Sequence, residues 1–232
     1  MKLSVIIPCY NEIETIKKIV EVVRNSPPED KEIIIIDDCS SDGTRDLLRS
    51  EVSPLVDRII YNVRNQGKGA ALRLGISHAR GDIVIIQDAD LEYDPKDYPS
   101  LILPIEADEA DVVYGSRFLY RNNSISLVNL HTLANKFLTW FSNVLTGLTL
   151  TDMETCYKVF RRGIIQEISI QEARFGFEPE ITSKVAKKHY RIKEVAISYS
   201  PRSFAEGKKI GWKDGVRTIY CILKYNLFNH HL

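Results

Sequence analysis

IIIIDDCSSDGT, residues 33–44, sets four isoleucines directly before two aspartates and a Ser/Asp/Gly turn. An apolar run this short, apolar on both faces and ended by turn residues, is the pattern of a strand covered by helices on each side. The run DIVII at 82–86 repeats it. Working outward, strands are expected at Leu3–Ile7, Glu32–Asp37, Asp57–Tyr61, Asp82–Gln87 and Asp111–Gly115. Helix-period segments lie between them at Glu12–Arg24, Gly43–Val52, Gly67–Ala79 and Lys96–Ile105. This alternation predicts an α/β fold with a mostly parallel central sheet and helices on both faces. Ligands of such sheets gather at the carboxyl ends of the strands. Polar clusters follow each strand there: PCYNE, DDCSSDGT, RNQGKGAA, DADLE and GSR.

The second half is less regular. Ser126–Leu148 has a strong helical period with Phe137, Trp140 and Phe141 on or near its apolar side. A polar stretch TDMETCYKVFRR (151–162) follows, then a helix after FGFEPE (175–180) and a strand near Arg191–Tyr199. With no repeat or linker, residues 1–232 read as one domain.

Composition narrows the function classes. Of 232 residues 44% are hydrophobic, enough for a sizeable core, and 31 Lys and Arg balance 31 Asp and Glu. No global field recruits nucleic acid. The four cysteines, Cys9, Cys39, Cys156 and Cys221, form no CxxC or Cys/His cluster, which fits a reducing cytoplasm. No apolar run approaches the ~20 residues needed to cross a bilayer, so membrane contact is expected to be peripheral.

VIIQDADLEYDP (84–95) carries Asp88, Asp90 and Glu92 behind an apolar run. A turn beginning at Ala89 can bring the two aspartates around one ligand, and Mg²⁺ or Mn²⁺ suits such a pair together with phosphate oxygens. A solvated turn explains the acids equally well. Asp37 and Asp38 stand at a strand tip, with Ser41 or Asp42 placed to cap the next helix. GKGAAL offers glycine-flanked amides and Lys68 to an anion, although its spacing is not that of a Walker loop.

SVIIPCYNE, IIIIDDCSSDGT, RNQGKGAALRLGI, IVIIQDADLEYDP and VVYGSRF, in this order, resemble the family 2 glycosyltransferases of the GT-A fold. The likeness is strongest to the dolichyl- or polyprenyl-phosphate mannosyltransferase and glucosyltransferase subgroup. It extends to about Tyr225 through DMETCYKVFRR, FGFEPEI and PRSFAEGKKIGWKDG.

The resemblance implies an inverting transferase using Mg²⁺ or Mn²⁺, with residues 1–120 binding a nucleotide sugar and 121–232 an acceptor. It places Pro8, Tyr10, Asn11 and Glu12 around base and ribose, completed by Ile36 and Asp38. Asp88 and Asp90 lie at ribose and at the metal on the diphosphate, and Ala89, between them, and Lys68, from its helix entry, are counted with the nucleotide-sugar-binding candidates. Arg117 is implied near a phosphate, and Arg202, Lys208 and Lys209 in a basic loop over the phosphates. Relatives often carry Gln at the position of Glu92, which leaves that residue's role open.

The acceptor divides the readings. A polyprenyl phosphate is already anionic and needs cations to position it, whereas a sugar hydroxyl needs a base, for which Glu178, Glu180 or Asp152 is available. Glu180 could equally favour only the first helical turn. Ser126–Leu148 and the basic, aromatic stretch Pro201–Lys224 are expected to flank a lipid-phosphate groove at an anionic surface. A non-catalytic nucleotide-sugar-binding subunit and a phosphoacceptor receiver module are the competing classes. The receiver leaves DADLE and the basic loop unexplained.

Overall fold

The isoleucine runs lie at the centre of one sheet. The computed structural model describes residues 1–119, 130–202 and 212–228. Its strands are β1 (Leu3–Cys9), β2 (Lys31–Asp37), β3 (Arg58–Tyr61), β4 (Ile83–Ile86), β5 (Val112–Ser116), β6 (Lys158–Arg161) and β7 (Ile192–Ala196). They are ordered β3-β2-β1-β4-β6-β5-β7. In β1, Ile6 faces Ile34 of β2 and Ile86 of β4, all in parallel register. These side chains are almost completely buried, each stabilising the fold by about 1.5–3 kcal/mol relative to exposure.

The helices are α1 (Ile16–Asn25), α2 (Thr44–Leu47), α3 (Lys68–His78), α4 (Tyr98–Glu106), α5 (Leu130–Thr146), α6 (Arg162–Glu167), α7 (Phe177–Lys187) and α8 (Trp212–Leu223). In α1 the buried residues Ile16, Ile19, Val20 and Val23 follow the spacing of one helical face. In α3 close packing is secured by Gly75. A Cβ there would stand 2.4 Å from Ile6 Cγ2 and 2.5 Å from Ile36 Cδ1.

Three expectations change. The helix read over Gly43–Val52 is α-helical only to Leu47, then widens into a π-turn at Leu48–Val52 that keeps both end residues buried. The helix expected after FGFEPE begins inside it, at Phe177, so Glu178 and Glu180 occupy its first turn. The polar stretch 151–162 supplies β6, inserted antiparallel between β4 and β5. Lys158 is tolerated there because its ammonium donates to Met153 O at 2.8 Å and to Thr155 O, and stands 4.4 Å from the centre of the Tyr114 ring.

All strands except β6 run the same way, so the ends of β1, β2, β3, β4, β5 and β7 and the start of β6 share one edge of the sheet. Lys208, Lys209 and residues 126–129 of the expected amphipathic helix lie outside the described residues.

Candidate active site

At that edge the two aspartates after β4 meet two cations from distant parts of the chain. Lys68, the first residue of α3, places Nζ 2.9 Å from Asp88 and 3.2 Å from Glu178 on α7. Burial opposes the Lys68 charge, but Asp88, Cys156 and Glu178 together outweigh it, and the ammonium is held above its ordinary range. Burial likewise opposes the Asp88 carboxylate, and Lys68 holds it ionised. Arg202 donates to Asp90 at 2.6 Å and to Glu12 at 3.2 Å, and its Nε lies 3.4 Å from Glu92. The Asp90 Oδ1 accepts the Glu92 amide, which makes the expected turn after Ala89. Burial, then the charges of Asp88 and Glu92, push Asp90 up to about 7 despite Arg202.

The loops after β1 and β2 are bound to each other. Asn11 donates its amide to Ser40 Oγ and accepts from the Ser41 amide, and the Glu12 amide donates to Thr44 Oγ1. Pro8 lies half-buried in β1 and Tyr10 stands exposed at the rim. Asp42 accepts from the amide and hydroxyl of Thr44, as expected of a residue at the helix entry.

Ile36 and Asp38 face inward instead. Ile36 is core, packed against α3. Asp38 is buried and accepts from Asn62 Nδ2 and from the amides of Gln66 and Gly67, so it shapes the 62–67 loop. The amides read as an anion cradle are thereby partly used, since Gly67 donates to Asp38 at 2.6 Å and Ala70 to Ala173 O at 3.0 Å. The glycines serve close approach. A Cβ on Gly69 would stand 2.1 Å from Glu172 O.

Arg117, after β5, is gripped by the fully buried Asp152, whose two oxygens accept from its Nε and Nη2 at 2.7 Å each and from its amide at 3.0 Å. Its guanidinium lies 5.1 Å from the Tyr199 ring centre. Glu194 of β7 in turn accepts the amides of Thr151 and Asp152.

Glu180 does not face the cleft chemistry. It is fully buried and accepts from the amides of Gln171 and Glu172, at 2.7 Å each, and from Lys184 at 2.6 Å. Sequence reasoning passed over Glu154 and Lys158. Burial, then Glu178, push the Glu154 carboxyl up to about 7, and its Oε1 is buried with no hydrogen-bond partner. Burial lowers Lys158 to about 8. Both sit in TDMETCYKVFRR, Glu154 in a turn and Lys158 at the start of β6.

Among the described residues no three His, Cys, Asp or Glu side chains converge as a ready ligand set for a metal. The donor chemistry nevertheless fits Mg²⁺ or Mn²⁺, which take one or two carboxylates and complete their shells with water and phosphate oxygens. Asp88 and Asp90 are hard-oxygen donors on one turn, close enough for the charge of one to raise the other.

The sequence model described as Glycosyl transferase family 2 matches residues 4–169. The chain belongs to this family. Over 223 residues it is 31% identical to an undecaprenyl-phosphate mannosyltransferase of Micrococcus luteus, covering 91% of this chain and 88% of that protein. It is 32% identical over 217 residues to a dodecaprenyl-phosphate galacturonate synthase of Rhizobium johnstonii, covering 90% of this chain but only 62% of that longer relative. Glucosyl-3-phosphoglycerate synthase of Mycobacterium tuberculosis, solved with Mn²⁺, UDP and glucosyl-3-phosphoglycerate, superposes with a TM-score of 0.71 at 19% identity. That match covers 97% of this chain and 80% of the solved one. It shows the shared GT-A fold. As a family 2 glycosyltransferase the chain is an enzyme, and the receiver-module and non-catalytic readings fall away.

Proposed function

We propose that this family 2 glycosyltransferase moves a hexose, mannose or glucose, from a GDP- or UDP-linked donor to a polyprenyl phosphate, inverting the anomeric centre and using Mg²⁺ or Mn²⁺. The similar proteins act on undecaprenyl and dodecaprenyl phosphates by their names, which supports a lipid-phosphate acceptor. The observation that carries the choice is the state of the three expected bases. Glu178 is paired with Lys68, Glu180 with Lys184 and Asp152 with Arg117. Carboxylates committed to cations are poor bases for a hydroxyl, and an anionic phosphate requires none.

In this reading residues 1–120 hold the donor and 121–232 the acceptor. Tyr10, Asn11 and Glu12 line the nucleoside end, and Asp88 and Asp90 would hold the metal. The metal, when bound, supplies Lewis-acid stabilisation of the departing diphosphate. Arg202 and Arg117 meet the negative charge that grows on the leaving group, and Lys68 keeps Asp88 ionised and oriented. The test is transfer from a panel of GDP- and UDP-hexoses with either metal, offering undecaprenyl phosphate or a sugar hydroxyl. Lipid-linked product that is lost in Asp90→Asn supports the proposal, and product on the hydroxyl acceptor alone refutes it.

One observation favours that second acceptor: Glu154, with a free buried oxygen and a carboxyl titrating near neutrality, has the properties of a base. Glu154→Gln should then abolish transfer to a hydroxyl while sparing transfer to lipid phosphate.

No helix among the described residues is long and apolar enough to cross a membrane. α5 exposes Leu133, Phe137, Trp140 and Val144 along one stripe, and α8 beside it exposes Val216 and Tyr220. We place this face against the bilayer that carries the acceptor, as a peripheral contact on the cytoplasmic side. Failure to co-sediment with anionic liposomes containing polyprenyl phosphate refutes it.

A further inference from the structure

Glu92 makes more contacts across the cleft than any role in metal binding calls for. Its Oε2 accepts the Tyr199 hydroxyl at 2.8 Å, and its Oε1 accepts the Arg202 amide at 3.1 Å and faces Arg202 Nε at 3.4 Å. Its carbonyl oxygen accepts the Ser200 amide at 2.9 Å, and the next residue, Tyr93, forms a bridge with Tyr199 and packs ring to ring at 5.2 Å. One residue thus ties Tyr199, Ser200 and Arg202 to the turn that carries Asp90. Tyr199 in turn presents its ring to the Arg117 guanidinium. Both arginines assigned to the leaving group are therefore referenced to Glu92, Arg202 directly and Arg117 through Tyr199.

We propose that Glu92 is a positioning residue of the transfer reaction, acting through Arg202 and not as a ligand of the metal. The inference rests on the glycosyltransferase reading above. A long arginine side chain has many rotamers, and fixing its amide and its Nε to one carboxylate oxygen removes most of them before the donor arrives. The benefit is realised where charge develops on the diphosphate, so it belongs to kcat more than to KM. Gln at this position keeps an oxygen for the Arg202 amide and Nε, and offers its NH2 to the Tyr199 hydroxyl oxygen.

The test is a double-substitution cycle read in two ways, by transfer kinetics and by Mn²⁺ binding in the presence of UDP or GDP, followed by electron paramagnetic resonance. Glu92→Ala should lower kcat by roughly 10–100-fold with KM for the donor little changed, the scale of a misplaced charge-stabilising group. Glu92→Gln should restore most of that loss. In an Arg202→Ala background, Glu92→Ala should cost less than about threefold more, because both act on one interaction. Mn²⁺ affinity should be the same in Glu92→Ala and the native chain. Additive losses in the cycle overturn the proposal. A fall in Mn²⁺ affinity that persists in the Arg202→Ala background also overturns it and assigns Glu92 to the metal. Absence of turnover by the native chain with every nucleotide sugar overturns instead the glycosyltransferase reading on which the proposal stands.

Discussion

Replacing Gly69 by alanine tests whether the GKGAA segment works by close packing, as its geometry indicates. The added Cβ would lie 2.1 Å from Glu172 O, 3.0 Å from Glu172 C and 3.2 Å from Ala173 C, all backbone atoms that no rotamer change can move. A carbon–oxygen contact relaxes at about 3.3 Å, so the entry of α3 and the 172–173 segment must separate by about 1 Å. That separation stretches the Ala70–Ala173 hydrogen bond, now 3.0 Å, and draws Lys68 from Asp88, now 2.9 Å away. Overpacking of this kind costs about 1–3 kcal/mol. For a chain of this size it lowers Tm by roughly 3–10 °C. Misplacing Lys68 by about 1 Å should lower kcat by up to ~100-fold. Thermal unfolding and donor turnover measure the two effects. Gly163→Ala is the control, since a Cβ there meets no described atom within 4 Å. It should leave Tm unchanged or raise it. A Gly69→Ala protein with native Tm and native turnover would refute the packing argument.

Asp152→Ala leaves the Arg117 guanidinium buried without its bidentate partner and should cost about 3–5 kcal/mol, read from chemical denaturation. Glu180→Gln should lower Tm, because Lys184 loses its charged partner, yet keep native kcat at temperatures well below the transition; a selective loss of kcat would restore Glu180 as a base. Glu154 predicts a pH dependence of stability. Its folded pKa of about 7 lies above its ordinary value of 4.5, so the folded state binds the extra proton between those values and stability falls as pH rises through that window. The Tm of Glu154→Gln should therefore exceed the native Tm by more at pH 8 than at pH 5, and an equal difference at both values contradicts the burial argument.

Much of the fold was legible because β1, β2 and β4 each carry an unbroken apolar run, Val5–Ile7, Ile33–Ile36 and Ile83–Ile86, followed by turn residues. β6 was hidden for a physical reason. Four residues of sequence KVFR carry two cations, and the carbonyls of Met153 and Thr155, the ring of Tyr114 and the nearby acids Glu178, Glu154 and Asp152 make Lys158 acceptable in a sheet. Asp88, Asp90, Arg117 and Arg202 were visible as residue types at strand ends and in a basic stretch. Their partners were not, and the longest pairings span nearly half the chain: Arg202 meets Asp90 at a separation of 112 residues, and Tyr199 meets Glu92 at 107. The same holds for Asp38, whose carboxylate accepts from three donors of the 62–67 loop that no local pattern indicated.

In the reading proposed above, these long-range pairings also bear on how the donor would enter. Among the described residues, Asp88 and Glu178 pair with Lys68, and Glu12, Asp90 and Glu92 pair with Arg202, along the strand-end edge. Their crowding is felt in the structure itself, since Asp90 is raised to about 7 by burial and by its acidic neighbours. A sugar diphosphate arriving alone would bring its negative charge against these carboxylates, and in a partly buried cleft that repulsion is weakly screened. Entry together with a divalent cation reverses the sign, because the cation satisfies the carboxylates and the phosphate oxygens at once. In the proposed reading the acids would thus make the nucleotide's affinity conditional on the metal. Lys68 and Arg202 keep the cleft folded and oriented in the meantime.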